Sequence, residues 1–265
     1  MNKRCQKVVT RGSFLLSAAV TIVAAAALVK GATLFWGQDA GSFFRGIMRN
    51  PKQVGAFTPC SVFVSQEITK WVAREVQTRN NNHLQARSSE QTQALYEHSS
   101  MLRVLEVGGG SGIFTNHLVK HLELLHDHEY QLDVLEIDSH YCDILNKRFA
   151  KYPHVHVYCV DATTWAPSYK YDYIISSLPF INMPVEVAHA MLTKYKKIST
   201  PGGIVSYVQL MLANQRGTFL RGIEKEEFQK KVALLEGFNQ EFEFERASVW
   251  LNITPAYVYH AHITA

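Results

Sequence analysis

Hydrophobic positions along this chain fall into three regimes. From Phe14 to Val29 the residues are apolar or small without a single charge, in "FLLSAAVTIVAAAALV". Between Val62 and Gln77 the apolar residues Val62, Ile68, Val72 and Val76 recur on one side of a helix, and Ser61 stands where an N-cap belongs. From Leu102 onward short apolar runs alternate with stretches of helical period. "LRVLEV" predicts a strand, Phe114 to Leu125 a helix, "YQLDVLEID" a strand and Tyr141 to Phe149 a helix. "VHVYCVDA" and "YDYIISSLPF" predict strands, the second running into a loop, followed by a helix over Val185 to Tyr195 and a strand in "GGIVSYVQLM". Such alternation implies an α/β fold, a mostly parallel sheet covered by helices on both faces. The polar, turn-rich "TRNNNHLQARSSEQTQ" reads as a linker with a short helix near Leu95. "IEKEEFQKKVALLEGF" reads as a surface helix with solvated charges.

The apolar N-terminal run would reach roughly 24 Å as a helix, against a hydrocarbon core of about 30 Å. Adding "KGATLFW" extends it to Trp36 if Lys30 snorkels to the interface. A spanning anchor, a cleaved secretory signal and a shallow or buried helix all fit this segment. Flanking charge barely orients it, since Lys3, Arg4, Lys7 and Arg11 precede it while Lys30, Arg45, Arg49 and Lys52 follow. Next, Phe43, Phe44, Ile47 and Met48 fall on one side of a short helix with Arg45 and Arg49 on other faces. That helix suits an anionic interface or packing on its own domain. The expectation is a membrane-anchor-like segment over 1–39, an amphipathic and helical extension over 40–100 that covers the site, and a catalytic domain over 101–265 facing the cytoplasm.

Composition narrows this little. The 265 residues are 47% hydrophobic and 19% charged, which suits a globular core. A formal charge of +4 is too mild to argue for nucleic acid. Cys5, Cys60, Cys142 and Cys159 are scattered without a CxxC or a zinc-type spacing, and read as reduced thiols. No metal site is expected, because His154 and His156 alternate on a strand and His126 and His128 lie in a loop.

The chemistry gathers at predicted strand ends. "VLEVGGGSGIFT" runs a strand into Gly108, Gly109, Gly110 and Gly112, where missing Cβ atoms let backbone approach a ligand. A dinucleotide fingerprint fails because Ile113 occupies the third glycine position, and a P-loop fails for want of a lysine. Glu136 ends the second strand, Asp161 and Ala162 the third, and Ser177 with "SSLPF" the fourth. In an open α/β sheet, ligands bind at these carboxyl ends.

The pattern E-x-G-x-G-x-G, with these acids in register, resembles the first motifs of class I S-adenosylmethionine-dependent methyltransferases. The resemblance implies a Rossmann-like sheet with a terminal antiparallel strand and S-adenosylmethionine as cofactor. It places Glu106 beneath the methionine portion and Gly108, Gly110 and Gly112 along the ligand. Glu136 would face the ribose hydroxyls and Asp161 with Ala162 the adenine, while Ser177 stands where cofactor and acceptor meet. "RNPKQVGAFTPCS", "SSLPFINMP", "PGGIVSYVQ" and "VWLNITPAYVY" further resemble bacterial phosphatidylethanolamine N-methyltransferases, a group related to rRNA adenine dimethyltransferases. In "GGGSG", Gly109 and Ser111 stand where that family more often shows Pro and Thr, and the stretch from Asn80 to Gln93 looks like an insertion.

Enzymes that methylate adenine carry Asn or Asp followed by Pro-Pro-Tyr, or Asn-Leu-Pro-Tyr, at the fourth strand. Here the residues are Ser177, Leu178, Pro179 and Phe180. The leading expectation is therefore methylation of a phospholipid amine, with a membrane phospholipid as partner and no nucleic acid. The alternatives are an rRNA adenine or other small-molecule methyltransferase, an aminopropyltransferase with "GGGSG" in place of "GGGDG", and a membrane protein that binds the nucleoside without turnover. An alkylammonium near pKa 10 must lose a proton before it can be methylated, at about 4 kcal/mol at pH 7. Ser177, carbonyls near Leu178, Tyr207 and Glu186 are the candidate proton acceptors.

Overall fold

The computed structural model describes residues 60–86, 101–125, 129–211, 220–252 and 254–264. The apolar segment over 1–39, the amphipathic stretch after it and the short helix near Leu95 lie outside the described residues. Of the stretch read as a linker, residues 87–93 also lie outside them, but residues 78–86 are the end of a helix, which Asn80 ties to the domain by donating to the Leu124 carbonyl at 2.8 Å. No described helix is long and apolar enough to cross a membrane.

In chain order the elements are α1 (Val62–Ile68), α2 (Lys70–Ala86), β1 (Leu102–Val107), α3 (Ile113–Leu122), β2 (Tyr130–Glu136), α4 (Ser139–Phe149), β3 (Val155–Cys159) and β4 (Tyr171–Ser176). A 3-10 turn (Phe180–Asn182) follows, then α5 (Val185–Ile198), β5 (Ser199–Leu210), α6 (Gly222–Phe242), β6 (Glu243–Val249) and β7 (Ala256–His262). The single helix expected from Val62 is two. Ser61 caps the first, its side chain accepting from the Val64 N–H, and the break falls at Thr69.

One seven-stranded sheet runs in the order β3-β2-β1-β4-β5-β7-β6. β1 to β5 are parallel, while β7 is antiparallel to both β5 and β6. The order reverses between β1 and β4, which opens a crevice at the carboxyl ends of those strands. Alternation along β1 assigns its two sides: Leu102 and Val104 pack with Ile68, Leu118 and Leu145, while Leu105 and Val107 pack with Met191, Leu192 and Phe238. α1 to α4 thus cover one face, and α5 and α6 the other.

The surface helix α6 keeps its charges in solvent and turns Leu235, Phe238 and Phe242 into the core, because those apolar residues recur every three or four positions among them. The cysteine reading needs correction. Cys142 and Cys159, taken as reduced thiols, form a disulfide. Spacing in the sequence hides this pair. α4 returns to β3 so that their Cα atoms, 17 residues apart along the chain, stand 5.7 Å apart.

Candidate active site

The loop after β1 is shaped by three residues with left-handed backbone: Gly108 at φ 82°, Gly110 at 51° and Gly112 at 85°. At two of the four clustered glycines, neighbours also enforce the absence of a side chain. A Cβ on Gly108 would lie 2.4 Å from Ser177 Oγ, and one on Gly109 would lie 2.6 Å from Val134 Cγ1. Gly110 is different, since a Cβ there would meet nothing within 4 Å and would project into open space. The Gly108 and Gly109 N–H groups donate to the Leu135 carbonyl, and Arg148 donates to the Ser111 carbonyl at 3.0 Å. Gly112 brings no side-chain cap to α3, so the first-turn N–H groups of that helix gain no partner from it.

Beside the loop, the crevice is a cavity of about 620 Å³. Gly108, Gly110, Glu136, Asp161, Ala162 and Ser177 line it together, so six of the expected cofactor residues converge. Gly112 and Glu106 do not line it. Gly112 instead sets the entry into α3, and its missing Cβ makes room for Leu145 and Phe149.

Glu136 is buried at the end of β2 and already engaged. Oε2 accepts from the Gly110 N–H at 2.6 Å, and Oε1 accepts from the Ile137 and Asp138 N–H groups at 2.8 and 2.9 Å. Asp138 is the N-cap of α4, accepting from His140 and Tyr141. Asp161 Oδ1 accepts from the Thr163 N–H and hydroxyl, each at 2.8 Å, so it caps the turn it begins while lining the cavity. Sequence reasoning missed the side chain that holds this turn. Lys194 on α5 donates to the carbonyls of Ala162, Thr163 and Trp165. A lone lysine on an amphipathic helix gives no signal of that role.

Glu106 is fully buried, and its carboxylate and the Thr115 hydroxyl lie close without a well-formed hydrogen bond. Burial pushes its pKa up to about 8, against the opposing pull of the Thr115 hydroxyl and N–H, with nearby Glu136 adding to the rise. Tyr141 repeats the theme inside the cavity, with a buried hydroxyl that has no partner. Orphan polar atoms in a buried site call for a ligand or a charge change.

Ser177 donates to the Gly108 carbonyl at 2.6 Å, which fastens the end of β4 to the glycine loop while its oxygen keeps acceptor capacity. Tyr207 lines the cavity, but its hydroxyl donates to Asn239 Oδ1 on α6. Burial holds its pKa well above the ordinary tyrosine value. The Tyr207 ring stacks on Tyr259 and meets Phe180 edge-on. Glu186 does not line the cavity. Cys60, which the sequence did not single out, does, and burial pushes its thiol up to about 12.

The far half of the cavity is apolar, walled by Phe180, Met183, Pro184, Val187, Met191 and Leu210. Asn182 and Gln209 supply polar groups there, and the carboxylates lining the cavity all stand at or just past the ends of β2 and β3, as Glu136, Asp138 and Asp161. No cluster of metal-ligating side chains occurs among the described residues.

Comparison with known proteins gives the class. Residues 104–203 match a family model described as "Methyltransferase domain", a span from β1 into β5 that holds every residue of the glycine loop and the acidic strand ends. The chain therefore carries a methyltransferase domain, and its cofactor is S-adenosylmethionine. No curated protein matches the chain in sequence. Among solved structures it is similar to a putative O-methyltransferase from Klebsiella pneumoniae, at 14% identity and a TM-score of 0.53 over 84% of this chain and 90% of that one. It is also similar to the N-methyltransferase NodS from Bradyrhizobium japonicum WM9 in complex with S-adenosyl-L-homocysteine, at 16% identity and a TM-score of 0.48 over 63% of this chain and 80% of that one. The first likeness gives the fold, a mixed sheet of the Rossmann-like methyltransferase type.

The residues present fit the cofactor. Gly110 leaves room for it, Glu136 offers the carboxylate, and Tyr141 offers an unpaired hydroxyl.

Proposed function

We propose that this chain methylates the amino group of a phospholipid headgroup of the phosphatidylethanolamine type. The observation that carries the reading is the division of the cavity. Its cofactor half holds the three carboxylates, and its far half is apolar and free of charged side chains among the described lining residues. When bound, S-adenosylmethionine supplies a methyl group on a positively charged sulfur, to be taken by a nitrogen lone pair. An apolar wall favours that lone pair, because desolvation disfavours an ammonium and lowers its pKa. Ser177 orients the nitrogen by accepting from its N–H, while the Ser177 hydroxyl keeps donating to the Gly108 carbonyl. Holding the acceptor in line supplies most of the remaining catalysis.

An adenine acceptor is the second reading, and Phe180 argues against it. A stacked base needs an open ring face. Phe180 is 3% exposed and meets Tyr195 and Tyr207 at 80° and 89°.

The test is methyl transfer from labelled S-adenosylmethionine to phosphatidylethanolamine vesicles, with unmodified rRNA in a parallel reaction. Label in mono-, di- or trimethylated lipid is the expected result. Label in RNA with none in lipid would overturn the proposal.

A further inference from the structure

Two large apolar side chains stand in water at one place where the fold holds them rigidly. β6 ends at Val249 and β7 begins at Ala256, which pairs with both Val249 and Leu210. The turn between β6 and β7 therefore projects from the same end of the sheet as the carboxyl end of β5, beside the apolar half of the cavity. In that turn Trp250 is 70% exposed and Leu251 56%. The next residue, Asn252, is buried. Its Oδ1 accepts from the Ser61 N–H at 2.8 Å, and its amide donates to the Thr254 carbonyl at 2.8 Å. The Pro255 carbonyl accepts from the Met211 N–H, which binds the turn to the end of β5. So braced on Asn252 and Pro255, the turn presents Trp250 and Leu251 outward. Ile223, 76% exposed in the first turn of α6, and Ile137, 61% exposed just past β2, stand at the same end of the sheet.

The chain that precedes the described domain joins it at this place. Cys60 lines the cavity, and Ser61 is the residue bonded to Asn252. The 59 residues before Cys60 contain the uncharged run from Phe14 to Val29 and the basic residues Lys30, Arg45, Arg49 and Lys52. An apolar and basic leader that enters beside an exposed Trp-Leu pair points to one partner for both.

We propose that the Trp250–Leu251 turn is a membrane-docking tip, inserting into the surface of a phospholipid bilayer so that the apolar half of the cavity opens toward the lipid. This inference deepens the reading of a lipid acceptor and rests on it. Tryptophan suits the role, because its ring prefers the headgroup boundary, and a neighbouring leucine reaches below it. The leader holds the domain near the membrane, and the tip sets which end faces it.

The experiment uses full-length protein with Trp36→Phe, which removes the tryptophan of the leader, and the same protein with Trp250→Phe added. Each is mixed with phosphatidylethanolamine–phosphatidylcholine–phosphatidylglycerol vesicles whose acyl chains are either brominated or unmodified. Trp71 and Trp165 remain as internal controls in both proteins. Expected is a loss of Trp250 emission in brominated relative to unmodified vesicles, with that quenching absent once Trp250 is replaced. Equal quenching in the two proteins would overturn the proposal. So would a concentration-dependent dimer in which Trp250 emission is already shifted to the blue without lipid, since a second copy would then cover the tip. Methyl transfer to the same unbrominated vesicles is measured alongside. Lipid methylation without Trp250 quenching would remove the docking tip and leave the acceptor reading standing, whereas quenching with no lipid methylation would remove the acceptor reading.

Discussion

Gly110 donates its N–H to Oε2 of Glu136 at 2.6 Å, tying the glycine loop after β1 to the carboxylate that ends β2. With Ile137 and Asp138 on Oε1, three backbone donors share one carboxylate. A carboxylate has about four acceptor sites, so little capacity remains for a ligand hydroxyl. Cofactor ribose at Glu136 must share Oε2 with Gly110 or displace it. The bond that orders the loop is thus the one that cofactor binding must share or break.

The loop glycines separate into two kinds, and substitution distinguishes them. Gly108→Ala sets a Cβ 2.4 Å from Ser177 Oγ at φ 82°, so the loop or the end of β4 must move. Gly110→Ala carries the left-handed backbone cost, about 1–2 kcal/mol, without a clash. Thermal unfolding is expected to show Gly108→Ala as the more destabilised protein. Calorimetry is expected to show that Gly110→Ala folds yet binds S-adenosylmethionine at least about tenfold more weakly, which corresponds to about 1.4 kcal/mol.

Glu106 makes stability depend on pH in an unusual direction. Its folded pKa of about 8 lies above the ordinary 4.5, so the folded state holds a proton that the unfolded chain has lost between those values. Stability of the cofactor-free protein therefore falls as pH rises from about 4.5 to about 8, by an amount on the order of a few kcal/mol. Glu106→Gln is expected to flatten that slope and to be more stable than the parent at pH 8. Denaturant midpoints across this range test it, and an unchanged slope in the variant would contradict it.

Tyr207 was a candidate proton acceptor on sequence grounds, and its geometry assigns it a structural role. The hydroxyl is spent on Asn239, and burial disfavours the phenolate. Tyr207→Phe is expected to cost about 1 kcal/mol of stability through the lost hydrogen bond. The methylation rate should stay within a fewfold of the parent. A loss of about 10²-fold or more, at unchanged cofactor affinity, would restore Tyr207 as the acid–base group.

The Cys142–Cys159 disulfide joins α4 to the end of β3, directly before Val160 and Asp161. A loop of this length is worth about 3 kcal/mol in the chain-entropy account. Reductant is therefore expected to lower the melting temperature by about 6–12 °C. The double variant Cys142→Ala, Cys159→Ala should melt near the reduced parent and ignore reductant.

Much of the fold was legible in the sequence, as was the gathering of the strand-end residues at one crevice. Strand ends are marked by a change from alternating apolar residues to Gly, Glu or Asp, and "LEVGGGSG", "LEID" and "VDA" each carry that change. Groups fixed by long-range packing were not legible. Lys194, Cys60 and the Cys142–Cys159 pair reach their places only after α5, α1 and α4 dock, and no local pattern records that docking. Tyr207 shows the converse. Its position on β5 placed the ring at the cavity correctly, but the hydroxyl's direction depends on Asn239, 32 residues further on.

The central claim is that the crevice between the glycine loop and Glu136 holds S-adenosylmethionine. The most direct test is isothermal titration of S-adenosylmethionine into the parent protein and into Glu136→Ala, with circular dichroism confirming that both are folded. The account predicts one site in the parent and about 10- to 100-fold weaker binding in the variant, the range expected when charge-assisted hydrogen bonds worth about 1.5–3 kcal/mol are lost. Equal affinity in the two folded proteins would contradict it and place the cofactor elsewhere.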